Sequence, residues 1–404
     1  MISVEEALGR ILKPLAPVSA EQVSVADGLG RVLAEEVRAR VTQPPAAVSA
    51  MDGYAVRAAD VATVPTTLKL VGAAPAGGAY GASMKPGETV RIFTGGPLPE
   101  GADAIVIQEN VDAAGDRITI KESVKPGRYV RPMGLDFRAG EVGLKPGHRL
   151  GPRDVGLAAA MNVPWLTVRR RPRIAILATG DEIVMPGEPL GPNQIVSSNA
   201  LALAAAVTAW GGEPVNLGIA RDTKQSLQAQ AAGARGADML VTTGGASVGE
   251  HDLVQSALGE RGLEVDFWQI AMRPGKPLIS GRLGDVPLLG LPGNPVSSMV
   301  CAIVFLRPAM ERLLGLSTAA APTPSARLGR DLGANDKRQD YLRARLERAA
   351  DGELVAVPFE IQDSSMLSRL AHADCLVIRP PLAPPAKAGT RVPILPLDGA
   401  LPTI

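Results

Sequence analysis

The spacing of apolar positions changes character three times along the chain. Near the N-terminus Val4, Ala7, Leu8, Ile11 and Leu12 recur at helical intervals behind a Ser3-Val4-Glu5-Glu6 capping box. Residues 1–42 are therefore expected to form one or two amphipathic helices. From 43 to 138 the pattern shortens into β-type runs, Thr67–Val71, Glu88–Phe93, Ala104–Gln108 and Arg117–Ile120, between Gly- and Pro-rich turns. A small, mostly β insertion is predicted there. Residues 139–170 are mixed, with a helix starting near Pro152-Arg153-Asp154 that is expected to pack back on the first segment.

From about 171 strand and helix patterns alternate, which predicts an α/β sheet. Strands are expected at Arg173–Ala178, Glu213–Ala220, Asp238–Thr243 and Pro287–Leu291. Helices are expected from Ser198 to Trp210, Lys224 to Ala234 and Pro295 to about Leu314. The Ala-, Thr- and Pro-rich stretch Gly315–Pro324 marks a boundary. Beyond it, runs at Tyr341–Leu346, Leu354–Pro358, Cys375–Arg379 and Arg391–Pro396 predict a small β-barrel or sandwich.

Charge narrows the field. Lys plus Arg number 42 and Asp plus Glu 41, so no basic face is available for nucleic acid or an anionic membrane. No uncharged apolar run of membrane-spanning length occurs, and the N-terminus lacks a signal-peptide pattern. A cytoplasmic protein is expected. Two cysteines, Cys301 and Cys375, and three histidines give neither a disulfide framework nor zinc-ligand spacing, so any catalytic metal should be a hard cation on oxygen ligands.

The chemistry gathers at strand ends. In open α/β sheets ligands bind outside the carboxyl ends of the strands, where loops converge and helix N-termini point. Four predicted strands run into polar loops: Thr179-Gly180-Asp181-Glu182, Arg221-Asp222, Gly244-Gly245-Ala246-Ser247-Val248-Gly249-Glu250-His251-Asp252 and Pro292-Gly293-Asn294-Pro295-Val296-Ser297. Gly244, Gly245 and Gly249 would let backbone amides approach a phosphate. Asn294, Pro295 and Ser297 suit the start of a helix facing an oxyanion. Arg273-Pro274-Gly275-Lys276-Pro277 puts two cations around one turn, and Glu182, Asp222 and Asp252 could hold a divalent cation beside bound phosphate. Each of these segments read alone is an ordinary turn or helix start; their convergence on one crevice favours a site. A G-x-G-x-x-G fingerprint and a P-loop are both missing.

Seven blocks then carry a resemblance: Ser49-Ala50-Met51-Asp52-Gly53-Tyr54-Ala55, Phe93-Thr94-Gly95-Gly96-Pro97, Gly134-Leu135-Asp136, Thr179-Gly180-Asp181-Glu182, Thr243 to Gly249, Lys276-Pro277 and Leu291 to Ser297. In order and spacing they resemble the molybdopterin molybdenumtransferases, the MoeA and gephyrin E-domain type. The resemblance implies an elongated helical and mixed hub (1–42 with 139–170), a β-rich insertion (43–138), a three-layer α/β domain that binds molybdopterin (171–317) and a C-terminal β-barrel (318–404). It implies a homodimer whose active site lies between one subunit's insertion and the other's α/β domain. Carried over by position, Asp52, Thr94, Asp136, Glu182, Asp222 and Asp252 are the catalytic candidates, with Mg2+ on the last three. Gly244, Gly245, Ser247, Gly249, Pro292, Asn294 and Pro295 would bind the pterin substrate. Lys276, Pro277, Ser297, Arg343 and Ser365 (or Ser364) would bind molybdate.

The implied reaction inserts molybdate into adenylylated molybdopterin and releases AMP; other molybdenum-cofactor proteins are implied partners. The chain departs from the pattern at Arg273, where the family often has Lys, at Leu135, which replaces a frequent acidic residue, and at Ile361-Gln362-Asp363-Ser364-Ser365, which lacks a family histidine. Two other readings stay open at this point: a non-catalytic pterin-binding scaffold, and a nucleotide pyrophosphatase sharing only the α/β domain.

Overall fold

The computed structural model describes residues 1–244, 253–316 and 323–397. The N-terminal capping box forms as expected: Ser3 Oγ accepts from the Glu6 amide at 3.0 Å, and the helix runs Val4–Leu12. It is the one α-helix of residues 1–42; the remainder of that segment forms strands, turns and a single 3-10 turn at Val25–Asp27. The helix buries Val4, Ala7 and Ile11 in the core of the α/β unit, against the long helix that follows Pro295. Ala20–Ser24 instead pairs antiparallel with Trp165–Arg169, and Val37–Arg38 with Val142–Leu144. Leu33, Val37, Leu150, Ala158, Met161 and Leu166 share one core, so the 139–170 stretch does return onto the first segment, with its helix at Pro152–Ala160.

The insertion is a six-stranded sheet ordered Ala104–Ile107, Gly53–Val56, Glu88–Ile92, Thr66–Ala74, Arg117–Ile120 and Val111–Ala114. Both faces carry apolar cores. Tyr54 and Val56 point into one, and Ala55, between them, points into the other, as the twofold strand period demands.

The α/β sheet is ordered Glu213–Ala220, Arg173–Thr179, Met239–Thr243, Val286–Leu291, Pro277–Leu283 and Leu263–Gln269. The first four are parallel, and Pro277–Leu283 runs antiparallel to both its neighbours. Helices cover both faces. Asn199–Ala209 and the Pro295 helix pack on one, and Lys224–Ala231 packs on the other. Residues 174–179, Leu240 and Leu289 are almost fully buried, which explains their continuous apolar runs. The helix expected from Pro295 to Leu314 is continuous but not uniform. It is α over Pro295–Cys301, a π-helical turn over Ala302–Leu306, and α again over Arg307–Leu313. Pro308 has no amide to donate back and its ring crowds the preceding turn, which accounts for the widening just before it.

The C-terminal unit is a closed barrel, resolving the choice between barrel and sandwich. Gln339–Arg348 pairs with Leu354–Pro358 on one side and Cys375–Arg379 on the other, and the ring closes through Arg391–Pro396 and Ser325–Leu328. A short sixth strand, Met272–Arg273, is lent by the α/β unit and pairs parallel with Gln339–Asp340.

Candidate active site

The sheet reverses its winding at Arg173–Thr179, whose chain-order successors lie on opposite sides of it. The crevice at such a switch point is where α/β sheets bind ligands. A cavity of about 670 Å³ opens there, lined by Thr179, Glu182, Thr243, Gly244, Pro292, Asn294, Pro295 and Ser297 among others. Three of the four polar loops read from sequence thus line one cleft. Pro277 joins them because its strand runs backwards, so that its first residue lies at the carboxyl ends of the parallel strands.

Gly244 must be glycine. Its φ is +93°, and a Cβ would sit 2.3 Å from the Thr179 carbonyl oxygen and 2.8 Å from Thr179 Oγ1. Thr179 Oγ1 is buried in the cleft wall without a hydrogen-bond partner among the described residues. Glu182 is exposed beside it, and the Asp222 amide donates to Asp181 Oδ1 at 3.2 Å, so the loops carrying Glu182 and Asp222 touch. Asp222 itself does not line the cavity. Among the described residues no three His, Cys, Asp or Glu side chains converge as a metal cluster. Asp252 lies outside the described residues, as do Gly245, Ser247 and Gly249.

The barrel closes the cleft from the other side. Ser365 lines the cavity, Asn294 Nδ2 donates to Ser364 Oγ at 3.0 Å, and the Val296 amide donates to the Ser364 carbonyl at 3.1 Å. Asp363 accepts from Ser365 Oγ at 2.6 Å and from its amide at 2.8 Å, and these bonds hold its carboxyl below the usual range. Arg343 is 1% exposed, with one guanidinium nitrogen 3.0 Å from the Asp363 carbonyl and Nε without a partner among the described residues. Burial lowers its pKa, opposed by the Asp363 charge. Lys276 is half-buried and has no ion pair among the described residues. Arg273 does not serve as a second free cation at this turn: it is paired with Asp340.

A second set stays on the insertion. Asp52 Oδ1 accepts from the Thr94 amide at 2.7 Å and from Thr94 Oγ1 at 2.8 Å. The backbone bond, then the hydroxyl, hold Asp52 below the ordinary carboxylate value, with Arg91 nearby adding to the effect. Ser49 Oγ is tied to both the amide and the carbonyl of Met51, shaping the turn that presents Asp52. Asp136 lines a different cavity with Gln43, Pro97, Arg131 and Leu135. Within one chain these residues share no described cavity with Glu182.

Asn199 was missed by the sequence reading. Its Nδ2 donates to Thr243 Oγ1 at 2.9 Å and to the Gly293 carbonyl at 2.7 Å, which binds two cleft loops together. The run Ser197-Ser198-Asn199 signalled only a helix start. The short strands Ile183–Val184 and Ile195–Val196, which wall the cleft through Ile183 and the exposed Ile195 and Val196, also went unread.

Fold and cleft define a multidomain α/β protein with a ligand site at a topological switch point, extended by a β insertion and a closed barrel. Residues 2–162 match the MoeA N-terminal region (domain I and II), residues 175–312 a probable molybdopterin binding domain, and residues 325–397 the MoeA C-terminal region (domain IV). A molybdopterin molybdenumtransferase 2 of Mycobacterium tuberculosis is 35% identical over 407 residues, covering 98% of this chain and 99% of that protein. The molybdopterin molybdenumtransferase of Haemophilus influenzae is 31% identical over 405 residues, covering 99% and 100%. The crystal structure of a molybdopterin biosynthesis MoeA protein from Pyrococcus horikosii superposes with a TM-score of 0.86 at 33% identity, covering 99% of this chain and all of that one. The chain belongs to the MoeA family of molybdopterin molybdenumtransferases.

Proposed function

We propose that this chain inserts molybdate into adenylylated molybdopterin, with release of AMP, in a site shared between two subunits of a cytoplasmic homodimer. The observation that carries the reading is the cleft itself. It joins a backbone cradle at Gly244 and a helix start at Asn294–Ser297, and Pro277 in its wall follows Lys276, which has no ion pair among the described residues; these groups suit anions. The pyrophosphate would lie against Gly244 and the Asn294–Pro295 helix start, with Gly245, Ser247 and Gly249 continuing the same loop. Molybdate would lie between Lys276, Pro277 and Ser297 on one side and Ser365 and Arg343 on the other. Arg343 supports this pocket: its buried guanidinium, bonded among the described residues to the Asp363 carbonyl and only partly compensated by the Asp363 charge, would gain from a bound dianion.

Glu182 and Asp222 supply hard oxygen donors on touching loops, and Asp252 would add a third. One or two carboxylates plus substrate phosphate is the usual magnesium environment, so the donor set fits the cation. Bound there, it would neutralise and polarise the pyrophosphate. The protein's own contribution is to hold two mutually repelling anions within reach of each other. Asp52, Thr94 and Asp136 would enter from the partner's insertion. The proposed division is a hub (1–42 with 139–170), an insertion (43–138), an α/β domain (171–317) and a barrel (318–404). Apolar cores centred in each support it, while Val4, Ala7, Ile11, Leu15 and Val18 of the first segment and Tyr341 and Leu376 of the barrel pack into the α/β core.

Single-turnover assay of Asp52→Ala, Glu182→Ala and Asp222→Ala with magnesium and molybdate tests the reading. Each is expected to cut cofactor yield and AMP release by at least about a hundredfold, on the scale of lost electrostatic or acid–base groups. Full yield from all three would overturn the site. AMP release separates this reading from a pterin carrier without catalysis.

A further inference from the structure

The Arg273–Lys276 turn carries two cations, and the structure gives them different tasks. Arg273 Nε donates to Asp340 Oδ1 at 2.8 Å and a terminal nitrogen donates to Asp340 Oδ2, a fork on a carboxylate whose side chain is 5% exposed. The same guanidinium lies 3.5 Å from Asp336 and 3.3 Å from Asn335 Oδ1. Asn335 in turn donates to the carbonyls of Arg338, Arg379 and Pro380, which fixes the barrel end on which the fork rests. Backbone pairing runs alongside: Met272–Arg273 adds to Gln339–Asp340, and the Gln339 amide donates to the Ala271 carbonyl at 2.9 Å. On its other side the turn is pinned by Gly275, where a Cβ would lie 2.4 Å from the buried Cys301 Sγ on the Pro295 helix.

We propose that Arg273 is a positioning residue and not an anion ligand: its fork on Asp340 fixes how far the barrel stands from the Lys276 turn. Asp340 and Arg343 lie on one strand, three positions apart, and Arg343 holds the Asp363–Ser365 turn that lines the cleft. One pair therefore sets the gap between Lys276 on the α/β unit and Ser365 with Arg343 on the barrel. The consequence for ligand binding rests on the molybdate pocket proposed above.

The two tasks part company in a double-mutant cycle on the full-length protein, read by equilibrium dialysis with molybdate and by KM against kcat. Arg273→Ala and Asp340→Asn should each weaken molybdate binding about tenfold, and the double variant should be no worse than either alone. Arg273→Lys should recover part of the loss, and the exchanged pair Arg273→Asp with Asp340→Arg more of it. The kcat at saturating molybdate should stay within about twofold, since the reacting groups are untouched. Amide exchange across 339–344 should quicken in Arg273→Ala, a readout independent of ligand. A direct ligand would give the opposite pattern: Asp340→Asn, which frees the guanidinium, would bind as well as or better than the parent while Arg273→Ala lost affinity. That pattern, or unchanged amide exchange, overturns the proposal. If Asp340→Asn does not fold, the lysine variant and the exchanged pair still decide it. Lys276→Ala is the control for the pocket: parental affinity there would remove the pocket assignment, while the amide exchange would still report on the fork.

Discussion

Asp52 owes its electrostatic state to Thr94, whose amide and hydroxyl both donate to Oδ1. Both bonds favour the charged carboxylate, so its folded-state pKa is depressed and the stabilisation they give is present above the ordinary carboxylate range. That stabilisation is lost as pH falls through the depressed value. Because the group is exposed, the effect belongs to the reactive state of the side chain more than to global stability. Thr94→Val keeps the backbone donor, the larger cause, and removes the hydroxyl. Its expected outcome is a partial upward move of the acid limb in the pH dependence of kcat/KM, with the alkaline limb unmoved. An acid limb identical to the parent's would mean that Asp52 does not govern the rate. Gly244 makes a different kind of residue-scale demand. A methyl there meets backbone as well as a side chain, so neighbouring rotamers alone cannot relieve it.

At the scale of elements, the strand Gln339–Arg348 links barrel, cleft and the Pro295 helix. Burial pushes Tyr341 on this strand up to about 12, and pushes the Cys301 thiol on the helix up as well. Both are neutral in the folded protein, whereas the unfolded chain ionises them from about 9.0 and 10.0. Their contribution is therefore whole below pH 9 and is lost as pH rises toward 12. Thermal melts between pH 8 and 11 should fall more steeply for the parent than for a Tyr341→Phe, Cys301→Ala double variant, each referred to its own pH 8 value. Parallel curves would refute the linkage.

Elements with local signals were legible in sequence. The capping box marked Val4–Leu12, and β-branched apolar runs marked the central strands. Pro277–Leu283 and Leu263–Gln269 were not read, since Pro277 and Gly281 interrupt one and charged positions thin the other. Ala20–Ser24 looked helical because so short a run does not distinguish a period of two from 3.6. The cleft loops were legible because their chemistry lies in contiguous blocks. The role of Arg273 was not, because its partner lies 67 residues away, and neither was that of Asn199, which bridges loops 44 and 94 residues away.

At the scale of the whole molecule, Asp136 of the insertion and Glu182 of the α/β unit line separate cavities within one chain. Met51, Phe93, Met133 and Leu135, next to Asp52, Thr94 and Asp136 in sequence, are exposed apolar side chains. Exposed apolar side chains of this kind beside the candidate carboxylates suit coverage by another protein surface. If a second subunit supplies it, each complete site takes Asp52 from one protomer and Glu182 from the other. Asp52→Ala and Glu182→Ala homodimers would then both be dead, yet an equal mixture refolded together would regain activity. Random pairing makes about half the dimers mixed, and each mixed dimer has one intact site of two, so about a quarter of the parental rate is expected. If each protomer builds its own site, every site in the mixture keeps one lesion and the rate stays at the level of the single variants. Sedimentation of the parent as a monomer at assay concentration would exclude the shared site before any mixing was done.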